Sequence, residues 1–110
     1  MARRDYLTQT ELMILLAVLR LGADAYGVPI CKEIAACTGR DVAAGAAYAA
    51  LERLLDRGLV SSELGEATPT RGGRAKTYFR LTAQGLKQVR ETQRALRQLW
   101  IGIPQLTEKG

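Results

Sequence analysis

Two short strand-like runs flank the sequence Arg71-Gly72-Gly73-Arg74-Ala75-Lys76, which carries three cations and two adjacent glycines. The first run is 59–64 and the second is 75–81, and both have the two-residue period of a β-strand. Paired glycines allow the positive φ of a tight turn, and clustered cations repel one another unless an anion is bound. The stretch therefore predicts a β-hairpin whose tip binds an anion such as nucleic-acid phosphate, although a solvated charged loop would explain the same cations.

Three helical patterns precede this hairpin. They cover about residues 8–21, 26–38 and 44–57, with Thr8 or Thr10 as the first cap and a glycine after each helix. Three helices followed by a long-looped hairpin is the order of the winged helix-turn-helix fold. We therefore expect a mainly α domain with a small β-hairpin over residues 1–81, and we expect it to bind DNA.

The outward face of the third helix is the surface that this fold presents to DNA. The helical period predicts that this face contains Ala46, Ala49, Ala50, Arg53 and Arg57. Alanine can touch a thymine methyl group but cannot donate a hydrogen bond to a base, so sequence reading must come from the arginines, their neighbours or DNA shape. Ion pairs with the adjacent Glu52 and Asp56 would explain the two arginines as well as DNA contact does.

Two residues near this helix have two interpretations each. Tyr48 is spaced with Leu51 and Leu55, so its ring is predicted to point to the core, which leaves at most its hydroxyl to reach a phosphate. Asp41 could cap the third helix, although a carboxylate there also repels a nearby phosphate.

A fourth helix begins after Thr82 as its N-cap and carries side chains at alternating steps of three and four, a heptad seam. The seam consists of Leu86, Val89, Gln93, Leu96, Trp100 and Ile103. An apolar seam beyond a complete domain needs a partner, and a second copy is the simplest one. Residues 82–110 are therefore predicted to be a dimerisation helix and tail, with Gln93 setting the register and Pro104 ending the helix.

Composition excludes several classes of protein. The chain has 110 residues, a formal net charge of +5 and no histidine, and we find no nucleophile, phosphate-loop or clustered-carboxylate motif, so we expect neither an enzyme nor a cofactor. Its longest apolar run, 12–19, is far shorter than the roughly 20 residues that span a bilayer. With no secretory pattern at its start, the protein is expected in the cytoplasm. Cys31 and Cys37 have no metal or redox spacing and are interpreted as packed hydrophobes.

Several motifs resemble the PadR family of transcriptional regulators. They are Tyr48-x-x-Leu51-x-Arg53-Leu54, Asp56-Arg57-Gly58-Leu59-Val60, Arg71-Gly72-Gly73-Arg74 and Tyr78-x-Arg80-Leu81-Thr82-x-x-Gly85, together with the leucine-rich stretch 12–27. The short tail is similar to the compact, acidobacterial-type-like subfamily. The resemblance implies a homodimeric repressor on an inverted-repeat operator in double-stranded DNA, with the third helix in the major groove and the wing on the backbone or minor groove. The implied DNA-binding residues are Ala46, Tyr48, Ala49, Ala50, Arg53, Arg71, Gly72, Gly73, Arg74 and Lys76.

Two alternatives remain open. The family often has a polar residue where Ala43 stands and a hydroxyl near Ala46, so this alanine-rich helix would also suit a winged-helix protein-interaction module without specific DNA binding. Trp100 is most simply an interface anchor. In some PadR-like multidrug sensors, however, an aromatic residue of the last helix stacks on flat drugs, which makes a small-molecule effector at Trp100 a second hypothesis.

Overall fold

The computed structural model describes residues 6–65 and 75–107. Four α-helices and one β-hairpin form in the order α1 (Gln9–Leu21), α2 (Gly27–Thr38), α3 (Ala44–Asp56), β1 (Val60–Leu64), β2 (Thr77–Leu81) and α4 (Ala83–Trp100). Single 3₁₀ turns at Gly22–Asp24 and Pro104–Leu106 follow α1 and α4. This is the mainly α architecture with a small β-hairpin that the sequence predicted.

Local capping explains where the helices begin and end. Thr8 and Glu11 form a reciprocal capping box at the start of α1, and the Thr82 hydroxyl accepts from the Gly85 amide at the start of α4. Gly39 ends α2 in the left-handed region at φ 75°, which costs glycine little because it has no Cβ. The N-cap of α3 is Ala43 without a side-chain hydrogen bond, so the interpretation of Asp41 as the cap was wrong.

The hairpin is joined to the helical unit through its second strand. β1 and β2 are antiparallel with Val60 opposite Leu81 and Ser62 opposite Phe79. The Phe79 amide donates to the Ala25 carbonyl at 2.8 Å, which links β2 to the turn between α1 and α2. The predicted wing residues Arg71, Gly72, Gly73 and Arg74 lie outside the described residues.

The core lies where α1 meets the other elements. Its largest fully buried side chains come from three helices and are Ile14, Leu15, Ile30, Leu51 and Leu54. Val60 and Phe79 of the hairpin close this core from one side. Leu16 and Leu19 are substantially exposed, so α1 keeps apolar surface that residues 6–65 and 75–107 leave uncovered.

The fourth helix is only partly buried. Gly85 and Val89 pack into the domain, whereas Leu96 and Trp100 remain exposed. The helix ends at Trp100, because Ile101 has extended backbone and Gly102 has φ 87°, so the prediction that Ile103 continues the helical seam was wrong. Within residues 6–65 and 75–107, no helix combines the length and the hydropathy that crossing a bilayer requires.

Candidate nucleic-acid interface

One exposed stripe runs along α3. Ala46, Ala49 and Arg53 are exposed at spacings of three and four, whereas Ala47 and Ala50 are buried. The prediction that Ala50 lies on the outward face was therefore wrong. Ala50 lies three residues after Ala47 and four residues before Leu54, so it belongs to the buried face of α3 that packs on α1 and α2. The exposed stripe consists of two alanines followed by one arginine.

Tyr48 lies beside this stripe and does not point into the core. It is 47% exposed, and its ring packs on the first residue of α2, Gly27. An ideal Cβ at Gly27 would stand 1.9 Å from the Tyr48 hydroxyl oxygen, so the ring occupies space that only a glycine leaves open. The prediction that the ring enters the core was wrong, because Ala47, Leu51 and Leu54 fill that position.

The two arginines of the interface share a buried carboxylate from α1. Arg53 donates from Nε to Glu11 Oε2 at 2.8 Å, and Arg57 donates from Nη1 to Glu11 Oε1 at 3.4 Å. The Glu11 side chain is only 3% exposed, whereas that of Arg53 is 53% exposed. The partner of Arg53 is thus 42 residues away in the sequence and is not the adjacent Glu52.

Burial and the hydrogen-bonding partners of Glu11 shift its pKa in opposite directions. Burial raises the pKa of this carboxyl, but the hydrogen bonds from Arg53 and the Thr8 amide and the charges of Arg53 and Arg57 outweigh burial and lower the pKa below its ordinary value. Glu11 is therefore ionised at neutral pH. It forms a fixed anion between α1 and the carboxyl-terminal half of α3.

An aromatic cluster connects the root of the hairpin loop to the start of α2. The rings of Tyr26 and Tyr78 meet edge to face with centroids 5.2 Å apart, and the Lys76 ammonium lies 5.0 Å from the Tyr26 centroid. The Gly65 amide donates to the Lys76 carbonyl at 2.7 Å, which closes the ladder on the loop side. Lys76 is therefore a partly buried cation at the wing root.

Sequence reasoning missed the residues that position this surface, namely Glu11, Tyr26, Gly27 and Tyr78. The pattern Thr8-x-x-Glu11 was a visible signal, because it is a capping box, but nothing in it indicates the arginines that Glu11 binds. Tyr26 and Tyr78 are 52 residues apart, a separation over which no helical or strand period operates.

A separate apolar groove lies between α1 and α4. Leu12, Leu16, Leu96, Trp100 and Ile101 line it with a volume of about 560 Å³. Trp100 is 60% exposed at its rim.

The two cysteines are not joined in a disulfide. Both cysteines are free; Cys31 packs against the core as predicted, whereas Cys37 is exposed, so its interpretation as a packed hydrophobe was wrong. In the part of the chain that the structure describes, no three histidine, cysteine or acidic side chains are grouped closely enough to hold a metal ion.

Solved structures of transcriptional regulators share this fold. A transcriptional regulator from Clostridium thermocellum has 25% identity and a TM-score of 0.72, with 90% of each chain covered. A PadR family transcriptional regulator from Eggerthella lenta has 28% identity and a TM-score of 0.68, covering 89% of this chain and 83% of its own. A PadR-like transcriptional regulator from Bacillus cereus has 20% identity and a TM-score of 0.70, covering 91% of this chain and 92% of its own, and this likeness shows the fold alone.

The sequence itself matches a family model. No curated protein matches the chain. The model of the transcriptional regulator PadR-like family matches residues 15–91, which include α2, α3, the hairpin and the buried part of α4. The chain therefore belongs to the PadR-like family of transcriptional regulators.

Proposed function

We propose that this regulator is a homodimeric repressor that binds an inverted-repeat operator in double-stranded DNA. The observation that carries the proposal is the exposed stripe of α3, which ends in Arg53 and lies in the same domain as the basic wing. Residues 1–81 form the DNA-binding domain and residues 82–110 the dimerisation helix and tail. The proposed contacts are Ala46, Tyr48, Ala49, Arg53, Arg71, Gly72, Gly73, Arg74 and Lys76.

The alanines and the cations have different roles in this interface. Ala46 and Ala49 let α3 approach the floor of the major groove closely and can touch thymine methyl groups. The cations Arg53, Arg71 and Arg74 bind phosphates, which positions the protein but reads little sequence. We therefore expect modest discrimination among sequences and a steep dependence of affinity on salt.

The proposed dimer uses the apolar surface of α1 and α4. Leu96 and Trp100 extend beyond the part of α4 that packs on its own domain, and Leu16 of α1 is exposed beside them. A second copy would bury these side chains and the groove between the helices, and it would pair the two α3 helices for the two half-sites. Leu86, Val89 and Gln93 belong to the same helix, although Val89 is already buried within its own chain.

Repression follows from occupancy, because a dimer bound over a promoter blocks the polymerase from the same DNA. A flat apolar effector in the groove at Trp100 would alter the spacing of the two α3 helices. We propose that the regulator itself is located in the cytoplasm, where the promoter DNA is accessible to it.

The test is a selection followed by a binding titration. A random duplex library is enriched on the wild-type protein, and fluorescence anisotropy then compares the enriched duplex with a scrambled one across a salt series. The proposal predicts tighter binding to the enriched duplex by about 10³-fold, at the low end of the range for specific DNA-binding proteins, and an inverted repeat within it. Equal affinity for both duplexes at every salt concentration would remove sequence-specific binding.

The second candidate function is a protein-interaction module, which the alanine-rich stripe favours. The double substitution Arg71→Ala with Arg74→Ala discriminates between this module and a DNA-binding regulator. The charge-matched control is Lys87→Ala with Arg90→Ala, on the exposed side of α4. A phosphate-binding wing predicts that the first pair lowers the salt slope by about two while the control pair does not. Identical slopes for both pairs would favour the protein-interaction module.

A further inference from the structure

We propose that Glu11 is a positioning residue for DNA binding: it holds the guanidinium of Arg53 by one nitrogen and directs the remaining donors at a phosphate. The inference rests on the proposed DNA binding but assigns a role to a residue that itself cannot reach DNA. Glu11 is buried on α1 beneath the exposed stripe of α3.

The hydrogen bond leaves most of the guanidinium available. Arg53 uses Nε for Glu11, and within residues 6–65 and 75–107 its two terminal nitrogens make no hydrogen bond. Arginine has five N–H donors in a planar fork, so one bond to a carboxylate leaves four for a second acceptor. The side chain is about half exposed, which makes those four accessible from the solvent side.

The place of Arg53 along α3 favours phosphate over bases. It stands nine residues after Ala44, about 13.5 Å along the axis at the helical rise. In helix-turn-helix proteins the amino-terminal residues of the inserted helix contact base edges. Arg53 is therefore beyond the part of α3 that reads bases and close to where the helix leaves the groove.

Two roles for Glu11 predict opposite changes in DNA affinity when its carboxylate is removed. If Glu11 acted only through its charge, removing the carboxylate would raise the local positive potential and tighten DNA binding. If Glu11 positions Arg53, removal frees a long side chain whose rotamers must then be ordered on binding, and affinity falls. The sign of the change in affinity separates them.

The experiment measures duplex affinity of Glu11→Met, Glu11→Gln, Arg53→Gln and the double variant Glu11→Met with Arg53→Gln. Methionine fills the buried site without accepting a hydrogen bond, whereas glutamine keeps an acceptor. We expect Glu11→Met and Arg53→Gln each to weaken binding about tenfold, equally on the enriched and the scrambled duplex. Glu11→Gln should bind more tightly than Glu11→Met, and the double variant no more weakly than Arg53→Gln alone.

Outcomes against the inference are equally specific. Wild-type or tighter affinity for a folded Glu11→Met, beside a weakened Arg53→Gln, overturns it. If Glu11→Met does not fold by circular dichroism, Glu11→Gln decides, because glutamine removes the charge but keeps an acceptor for Arg53. Binding tighter than wild type overturns the inference, and affinity at or below that of wild type supports it. If the wild-type protein binds the enriched and scrambled duplexes equally, the proposed repressor function is wrong. If the wild-type protein prefers the enriched duplex and only the results expected for these variants fail, the inference about Glu11 alone is wrong.

Discussion

The hydroxyl of Tyr48 occupies the space that a side chain on residue 27 would need, 1.9 Å from the position of its Cβ. An exposed aromatic residue of α3 is thereby seated on the first residue of α2. This contact sets how closely the two helices of the helix-turn-helix approach each other. Because the glycine has no side chain, the hydroxyl end of the Tyr48 ring fits against the start of α2 while the side chain stays 47% exposed.

Gly27→Ala should displace the Tyr48 ring. Tyr48 is half exposed, so its ring can swing into water, and we expect a modest loss of about 1–2 kcal/mol in the free energy of unfolding. Urea denaturation measures it. In a Tyr48→Ala background the same substitution should cost much less, because the obstructing ring is gone. An equal cost in both backgrounds would mean that the ring does not require Gly27.

Gly85→Ala should be more damaging, because its neighbour is backbone. A Cβ at residue 85 would stand 2.0 Å from the Leu59 carbonyl oxygen, so α4 itself would have to move away from the start of β1. We expect a loss of about 3 kcal/mol or more, seen as a lower denaturation midpoint. Gly45→Ala is the matched control, because nothing lies within 4 Å of its Cβ position, and it should stabilise by roughly 0.5–1 kcal/mol. Equal effects of the two substitutions would contradict this packing.

Removal of Arg53 should cost more stability than neutralisation of Glu11. Arg53→Ala leaves a buried carboxylate with fewer partners, and we expect a loss of about 1–3 kcal/mol. Glu11→Gln leaves a half-exposed arginine that can turn to water. The double variant should therefore recover part of the stability lost in Arg53→Ala. Strict additivity in urea denaturation would show that the two side chains do not interact.

Low pH should reduce the contribution of Glu11 to the free energy of unfolding. Its pKa is lowered in the folded state, so its stabilisation is present above the pKa of the unfolded chain and is lost as pH falls through the folded pKa. The stability difference between wild type and Glu11→Gln should be constant above about pH 5 and shrink below about pH 4. Arg20 also lowers the Glu33 pKa, but both side chains of that pair are more exposed than Glu11, so Glu33→Gln should show a smaller change. A difference independent of pH would refute the ionised pair.

Trp100 should report on dimerisation. It is the only tryptophan and is 60% exposed in the single chain, so association through α4 should bury it and shift its fluorescence to shorter wavelength. Leu96→Glu should give a monomer by sedimentation and remove this shift, whereas Lys87→Glu on the same helix should do neither. A dimer that survives Leu96→Glu would place the interface elsewhere.

Much of the fold was predictable because its signals are local. The capping threonines and the glycines that end helices act through neighbouring residues, and the bounds of α1, α2 and α3 agree with the sequence patterns to within about one residue at most ends. Predictions that depended on a borderline helical face were less accurate. Tyr48 was expected to be buried and is exposed, and Ala50 was expected to be exposed and is buried, because the packing of α3 on α1 and α2 decides which positions at the edge of its apolar face are covered.

The sequence by itself determined the element order, the strand pairing and the family, because periodicity, turn chemistry and short motifs are written in neighbouring residues. Only the tertiary structure decided that Glu11 holds Arg53, that Tyr48 rests on Gly27, and that α4 approaches Leu59 at Gly85. These contacts join residues that are 21 to 42 positions apart (48 and 27, 85 and 59, 53 and 11). No local propensity specifies such pairs, and they form because packing the helices around one core brings them together.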